Sequence, residues 1–305
     1  MSELSEVLIN TQELKDPIFV VGCLRSGTGA LARTIGLAEP VCYVGETKLF
    51  TKYYAREVPI ISAFRHWRNG DALFPVLKRK ARTFRDQISR RELLRRTLAD
   101  IIRYTKLTHF DTKPSVPLVD RYGIELTSND MKFVDQLVDK YMRANNIDTM
   151  IRVLFKDIQL TSQKTRVLEK TPMHALYIPV IQRLFPEARI CQILRDGRQV
   201  AASYILNYGQ KKLNKRSVRY ICAVHRCTWA IHERLSKSDN PKYYSLRYED
   251  FVASPISNVE KVFHFLNLPL TESILTSLRD IREGPSNWER LPRKTQIYVE
   301  ALLAA

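Results

Sequence analysis

Two arginines stand where an apolar run gives way to a helical pattern: Arg25 after Ile18 to Val21, and Arg195 after Ala188 to Leu194. A guanidinium grips phosphate or sulfate oxygens with two parallel hydrogen bonds. Gly22 and Gly27 bracket the first arginine and Gly197 follows the second, so each sits in a glycine-bearing turn. A helix opening straight after such a turn adds unpaired backbone N–H groups and the positive end of its dipole. Each turn is therefore a candidate anion site, and two in one chain predict one ligand with two separated anionic groups. Ser203 falls one to two turns into the helix behind Arg195. Glu46, Thr47 and Lys48 follow a third apolar run that stops at Gly45. In open parallel sheets the carboxyl ends of strands are where ligands bind.

The first turn has a familiar rival. Gly22 and Gly27 match the spacing of the nucleoside-triphosphatase loop G-x-x-x-x-G-K-[ST], but Thr28 takes the lysine position and Gly29 the hydroxyl position. Without that lysine and that Mg²⁺-binding hydroxyl, the loop suits an anion and not MgATP.

The elements that must position these residues are legible as alternating strands and helices. Pro17 to Gly36 reads as strand, turn and helix; Glu39 to Gly45 as a second strand; Arg166 onward as a brief third. Pro172 fits the opening of a helix carrying Leu176, Ile178, Ile181 and Leu184. Ala188 to Leu194 and Tyr243 to Arg247 supply two more strands, the last delivering Tyr248. Helices are expected from about Arg198, over Ser217 to Leu235, and near 257–266 and 271–280. Residues 49–164 carry helical periodicity, with one helix over 85–104 and another capped by Asn129, around a looser stretch from Thr112 to Pro117. The prediction is a single α/β domain over 1–305: a P-loop-like parallel sheet of about five strands flanked by helices, with a helical insertion at about 49–164 over the sheet edge. The segment from Glu283 to Lys294 reads as a loop that folds back as a lid.

The net charge is +17. Most of it lies between Lys78 and Lys106 and between Gly209 and Arg219. A solvated helix face, a polyanionic cofactor, an acidic substrate, nucleic acid or an anionic surface would each account for it. The interleaved aromatics of a nucleic-acid module are missing, which disfavours a nucleic-acid-binding module. Five scattered cysteines without zinc spacing read as reduced thiols of a cytoplasmic protein, and the dispersed histidines predict no metal. No apolar run reaches transmembrane length, and Met1 to Lys15 lacks the apolar core of a secretory signal.

Arg25-Ser-Gly-Thr, Glu169-Lys-Thr-Pro-x-His174, Phe185-Pro-x-Ala, Arg195-Asp-Gly-Arg…Ser203 and Arg247-Tyr-Glu-Asp250 follow in the order typical of sulfotransferases. From residue 17 to about 292 the chain resembles that family, its bacterial and tyrosylprotein-type members in particular. The resemblance implies the donor 3′-phosphoadenosine 5′-phosphosulfate (PAPS) and no metal. It implies that Arg25, Ser26, Gly27, Thr28, Gly29 and Ala30 hold the 5′-phosphosulfate, and that Arg195 and Ser203 hold the 3′-phosphate. Tyr248 resembles the aromatic beside the nucleotide and Ser286 a late contact from the closing loop. Glu46 looks like the catalytic base, with His174 its rival, and Lys170 looks like the transition-state lysine beside Arg25. His174 has a second reading, in which it positions Lys170. Gly29 stands where a threonine is usual, and the anchor and paired cysteines of tyrosylprotein enzymes are missing. A small-molecule or carbohydrate acceptor with a hydroxyl or amine is therefore expected ahead of peptide tyrosine.

Overall fold

Ile18–Gly22 (β1) is buried at every position because it runs through the middle of a parallel sheet. A strand covered on both faces needs no polar alternation, and its β-branched run is what such a strand requires. The computed structural model describes residues 15, 17–54, 90–109, 126–208, 215–279, 281 and 286–304. Within them lie β2 (Val41–Gly45), β3 (Arg166–Glu169), β4 (Arg189–Leu194) and β5 (Tyr243–Arg247), in the order β2-β3-β1-β4-β5. Every pairing is parallel. The register aligns Gly22 with Ile193, Gly45 with Glu169 and Leu194 with Arg247, so all five strands end at one edge.

Parallel neighbours need crossovers. Thr28–Ile35 (α1) crosses from β1 to β2, and Leu49–Tyr53 (α2) follows β2. Arg90–His109 (α3), Ser128–Met142 (α4) and Ile147–Ser162 (α5) precede β3. A 3-10 turn, Pro172–Tyr177, leads into Ile178–Leu184 (α6). Gly197–Tyr208 (α7) and Lys215–Ser236 (α8) separate β4 from β5. Tyr248–Ala253 (α9), Pro255–Leu266 (α10), Glu272–Leu278 (α11) and Arg293–Ala304 (α12) close the chain.

The core has two layers, one on each face of the sheet. Phe19, Val21, Val44 and Val167 point to α3, α4 and α5, and the Phe19 ring lies 5.7 Å from Phe50 and 5.8 Å from Phe155. Ile18, Val20, Leu168 and Ile193 point to α1, α10 and α11. Each fully buried side chain of this size contributes roughly 1.5–3 kcal/mol. A third cluster, with Val200, Ile205, Ile221, Val224 and Val299, seats α12 against α7 and α8.

Several boundaries differ from the sequence expectation. The cap of α4 is Thr127 and not Asn129: the Thr127 hydroxyl accepts from Asp130 N–H, and the Asp130 carboxylate accepts from Thr127 N–H. That reciprocal box satisfies two orphan donors, which Asn129 cannot do from inside the first turn. Pro172 opens a 3-10 turn, and the α-helix starts only at Ile178. The helix expected over 85–104 is described from Arg90 to His109. Its first expected residues, the stretch from Thr112 to Pro117 and most of the second basic run lie outside the described residues. So does part of the predicted lid, and α12 begins within the end of that lid. All five cysteines are free and buried. No helix among the described residues is long and apolar enough to cross a membrane.

Candidate active site

The first anion loop is shaped by close approach. A Cβ on Gly22 would lie 2.5 Å from the Ile193 carbonyl, so only glycine lets β1 and β4 end side by side. The Ser26 N–H and hydroxyl both donate to the Cys23 carbonyl, at 3.2 and 2.7 Å, closing the turn. Gly27 adopts φ +97°, and a Cβ there would strike the Tyr248 ring at 2.4 Å. Thr28, Gly29 and Ala30 form the first turn of α1, which has no side-chain cap on its leading N–H groups. Those donors and the helix dipole point into the loop.

The two arginines predicted to grip separated anions are directly linked. Arg25 Nε donates to Ser203 Oγ at 3.1 Å, and Arg195 donates to the Arg25 carbonyl at 3.0 Å. The Arg195 guanidinium lies 4.2 Å from the Tyr248 ring centre, and its Nε is buried without a hydrogen-bond partner. Asp196, next to Arg195, is turned away. Its carboxylate accepts from the backbone N–H of Arg198 and Gln199 and pairs with the Arg198 guanidinium at 3.1 Å. Burial would raise the Asp196 carboxyl, but these donors hold it below the usual range. Behind the arginine, His225 Nε2 donates to the Arg195 carbonyl at 2.9 Å, and burial pushes the His225 imidazolium down. Neither Arg25 nor Arg195 meets a carboxylate among the described residues.

Ser286 is tied to the same corner by Gln199, a residue the sequence reading passed over. The Gln199 amide donates to Ser286 Oγ at 2.8 Å and accepts from Asn287 N–H at 3.2 Å.

At the ends of β2 and β3 a second cluster forms. Lys170 N–H donates to the Gly45 carbonyl at 2.9 Å, and the Lys170 ammonium is ion-paired with Glu46. The lysine side chain is 3 % exposed and the glutamate 21 %. His174 lies deeper, at zero exposure, with Nδ1 2.9 Å from Glu169 and Nε2 3.2 Å from Phe50 N–H. Both ring nitrogens are thereby engaged. Glu169 is also fully buried and accepts from Thr47 N–H, the Thr47 hydroxyl and the Thr171 hydroxyl. Burial alone would raise its carboxyl, and the hydrogen bonds from His174, Thr171 and Thr47 act to lower it. Glu169, Thr47 and Thr171 were quoted or passed in sequence without a role. The signal was a charged residue at a strand end inside an apolar setting, whose partner had to be found.

Among the described residues no group of His, Cys, Asp or Glu side chains is arranged to hold a metal ion. The family model described as the sulfotransferase family matches residues 17–272. Over 142 residues the chain is 28 % identical to omega-hydroxy-beta-dihydromenaquinone-9 sulfotransferase Stf3 of Mycobacterium tuberculosis, covering 42 % of this chain and 36 % of that one. It is 26 % identical over 116 residues to a putative protein-tyrosine sulfotransferase of Caenorhabditis elegans, covering 36 % of this chain and 43 % of that one. The matches thus span less than half the length of either relative. Among solved structures, the sulfotransferase domain of the Synechococcus PCC 7002 olefin synthase superposes with a TM-score of 0.55 at 15 % identity, covering 96 % of this chain and 94 % of that one. The sulfotransferase domain from the curacin biosynthetic pathway gives 0.52 at 16 %, covering 90 % and 83 %. At these identities the superpositions establish a shared fold.

Proposed function

The chain belongs to the sulfotransferase family, and on that premise we propose that it transfers the sulfuryl group of PAPS to a hydroxyl or amine of a small-molecule acceptor. One observation carries the proposal. Two arginines with no carboxylate partner among the described residues, joined by the bond from Arg195 to the Arg25 carbonyl, share a sheet edge with Ser203 and the Glu46–Lys170 pair. PAPS supplies an activated sulfuryl group on a phosphate leaving group. The loop residues Arg25 to Ala30 suit its 5′ end, because α1 presents uncapped N–H groups there. Arg195 and Ser203 suit the 3′-phosphate, for which the buried, unpartnered Arg195 Nε is an unspent donor. Tyr248 would flank the base, and Ser286 would close over it.

Sulfuryl transfer, like phosphoryl transfer, rests on positioning and electrostatics. Arg25 and Lys170 offset the charge that gathers on the bridging oxygen. Glu46, the more exposed member of its pair, takes the acceptor proton. His174 is unsuited to that role, since neither ring nitrogen has a free position to offer. The acceptor named for Stf3 is a hydroxylated menaquinone derivative, which favours a small-molecule hydroxyl; a sugar hydroxyl has the same chemistry. Peptide tyrosine is the second reading, supported by the name of the Caenorhabditis elegans relative.

The test has two steps. The protein should be retained on immobilised adenosine 3′,5′-bisphosphate in excess EDTA, and activity should persist there. An acceptor library incubated with PAPS and the protein should then yield products heavier by one SO₃. Retention that depends on Mg²⁺ would return the loop to a kinase-type reading.

A further inference from the structure

The start of α2 is an electrostatic problem for the chain. Its N-cap, Lys48, lies in the left-handed region at φ +56° and offers no side-chain cap. The leading N–H groups of a helix have no partner within it, and in a buried setting water cannot serve. Here the acceptors come largely from the end of β3 and the segment after it, far away in sequence. Thr47 N–H donates to Glu169 at 3.1 Å, Lys48 N–H to the Thr171 hydroxyl at 3.1 Å, and Phe50 N–H to His174 Nε2 at 3.2 Å. Leu49 N–H uses the Thr47 hydroxyl at 3.3 Å. Glu169 gathers the assembly, accepting also from His174 Nδ1–H and from both threonine hydroxyls. The Phe50 ring stands edge-on to the imidazole at 4.9 Å and locks its plane.

We propose that Glu169 and His174 are positioning residues, which cap α2 from across the sheet edge and thereby hold Glu46 against Lys170. Glu46 directly precedes Thr47, and Lys170 directly follows Glu169, so the ion pair is the next residue out from the staple on both strands. A displacement of either capped segment moves one member of the pair relative to the other. His174 must be neutral, with its proton on Nδ1, because Phe50 N–H points at Nε2 and requires a lone pair there. The kinetic consequence rests on the sulfotransferase reading, whereas the structural consequence does not.

The discriminating substitutions are His174→Gln and His174→Leu. A glutamine amide offers one oxygen to Phe50 N–H and one N–H to Glu169, so it can rebuild the staple without an imidazole. Leucine can do neither. Because an ångström of misplacement costs about 100-fold in turnover, His174→Leu should lower kcat by about that factor. Its KM for PAPS should stay within about threefold of wild type, since Arg195, Ser203 and the loop from Arg25 to Ala30 lie outside the staple. His174→Gln should recover to within about tenfold of wild type. Equal inactivity of two folded variants would overturn the proposal and make the imidazole itself essential. A second measurement covers the case in which leucine prevents folding. The ¹⁵N spectrum of the wild-type full-length chain should show His174 as the neutral Nδ1–H tautomer at neutral pH, and an imidazolium or an Nε2–H tautomer would overturn the staple. If the wild type transfers no sulfuryl group, the sulfotransferase reading fails, while the tautomer measurement still decides the structural claim.

Discussion

On α3 most of the arginines are spent on carboxylates: Arg91 meets Asp139 at 2.6 Å, Arg95 meets Asp135 at 2.7 Å, and Arg96 meets Glu92 at 2.6 Å. At the sheet edge, Arg25 and Arg195 meet a hydroxyl, a carbonyl and an aromatic face. The first region is dense in charge and electrostatically quiet. The second holds few cations, but they retain unspent hydrogen-bonding capacity. Charge density along a sequence therefore says less about an anion site than the location of the acids does. The acids of α4 sit beside the arginines of α3, while Asp196, the acid adjoining Arg195, is diverted to Arg198 and the start of α7.

The sharpest division between the two regions comes from Glu46, whose ion pair lies at the sheet edge. Glu46→Gln should lower turnover by about 10²- to 10⁴-fold with little change in nucleotide affinity, as single-turnover kinetics and calorimetry would show. Turnover within tenfold of wild type would sink the assignment of Glu46 as base. Arg195→Ala removes a charge-assisted contact of about 1.5–3 kcal/mol, so the dissociation constant for adenosine 3′,5′-bisphosphate should rise about 10- to 150-fold. Ser203→Ala, losing a neutral hydroxyl, should cost about 2- to 10-fold. Wild-type affinity in the arginine variant would erase the contrast with α3.

Lys52 probes the seam between the regions, where its ammonium on α2 donates to the Thr97 hydroxyl on α3. Burial pulls this lysine down from 10.5 to about 8. Between those values the unfolded chain holds a proton that the folded chain has released. Stability should therefore rise with pH across that window, and denaturant midpoints should follow it. In Lys52→Met the rise should be smaller; an unchanged slope would assign it to other groups. The smallest effect belongs to Arg95→Ala. Its exposed pair with Asp135 should leave nucleotide affinity unchanged and the melting midpoint within about 2 °C of wild type. A loss of affinity there would mean that the helical region reaches the nucleotide after all.

Local chemistry was what the sequence displayed. The runs Ile18 to Val21 and Ala188 to Leu194 announced buried strands, and Gly22 and Gly27 announced the turn between strand and helix. The parallel five-stranded sheet follows from those runs and their spacing. What the sequence hid depends on partners that folding alone brings together. Glu46 could be placed at a strand end, but its pairing with Lys170 spans residues from two different strands. His174 read as a rival base because its type suits that work; its two occupied nitrogens are a property of Glu169 and Phe50. The helix α12 went unread, although Tyr298, Val299, Leu302 and Leu303 give it an apolar face that packs on the cluster of α7 and α8.

The strand order has a consequence for how the protein acquires its activity. β1, beginning at Ile18, pairs with β3 near Leu168 and with β4 near Arg189, so the central strand waits for partners far along the chain. Pairings of such long range are slow to form, because chain entropy is lost before contacts reward it. The loop after β1, the pair after β2 and β3, and the arginine after β4 come into register only once all those strands have joined. Affinity for the proposed nucleotide is thus a late-arriving property of the folding chain. By mass action the nucleotide then favours the completed sheet over every partly assembled form that cannot bind it.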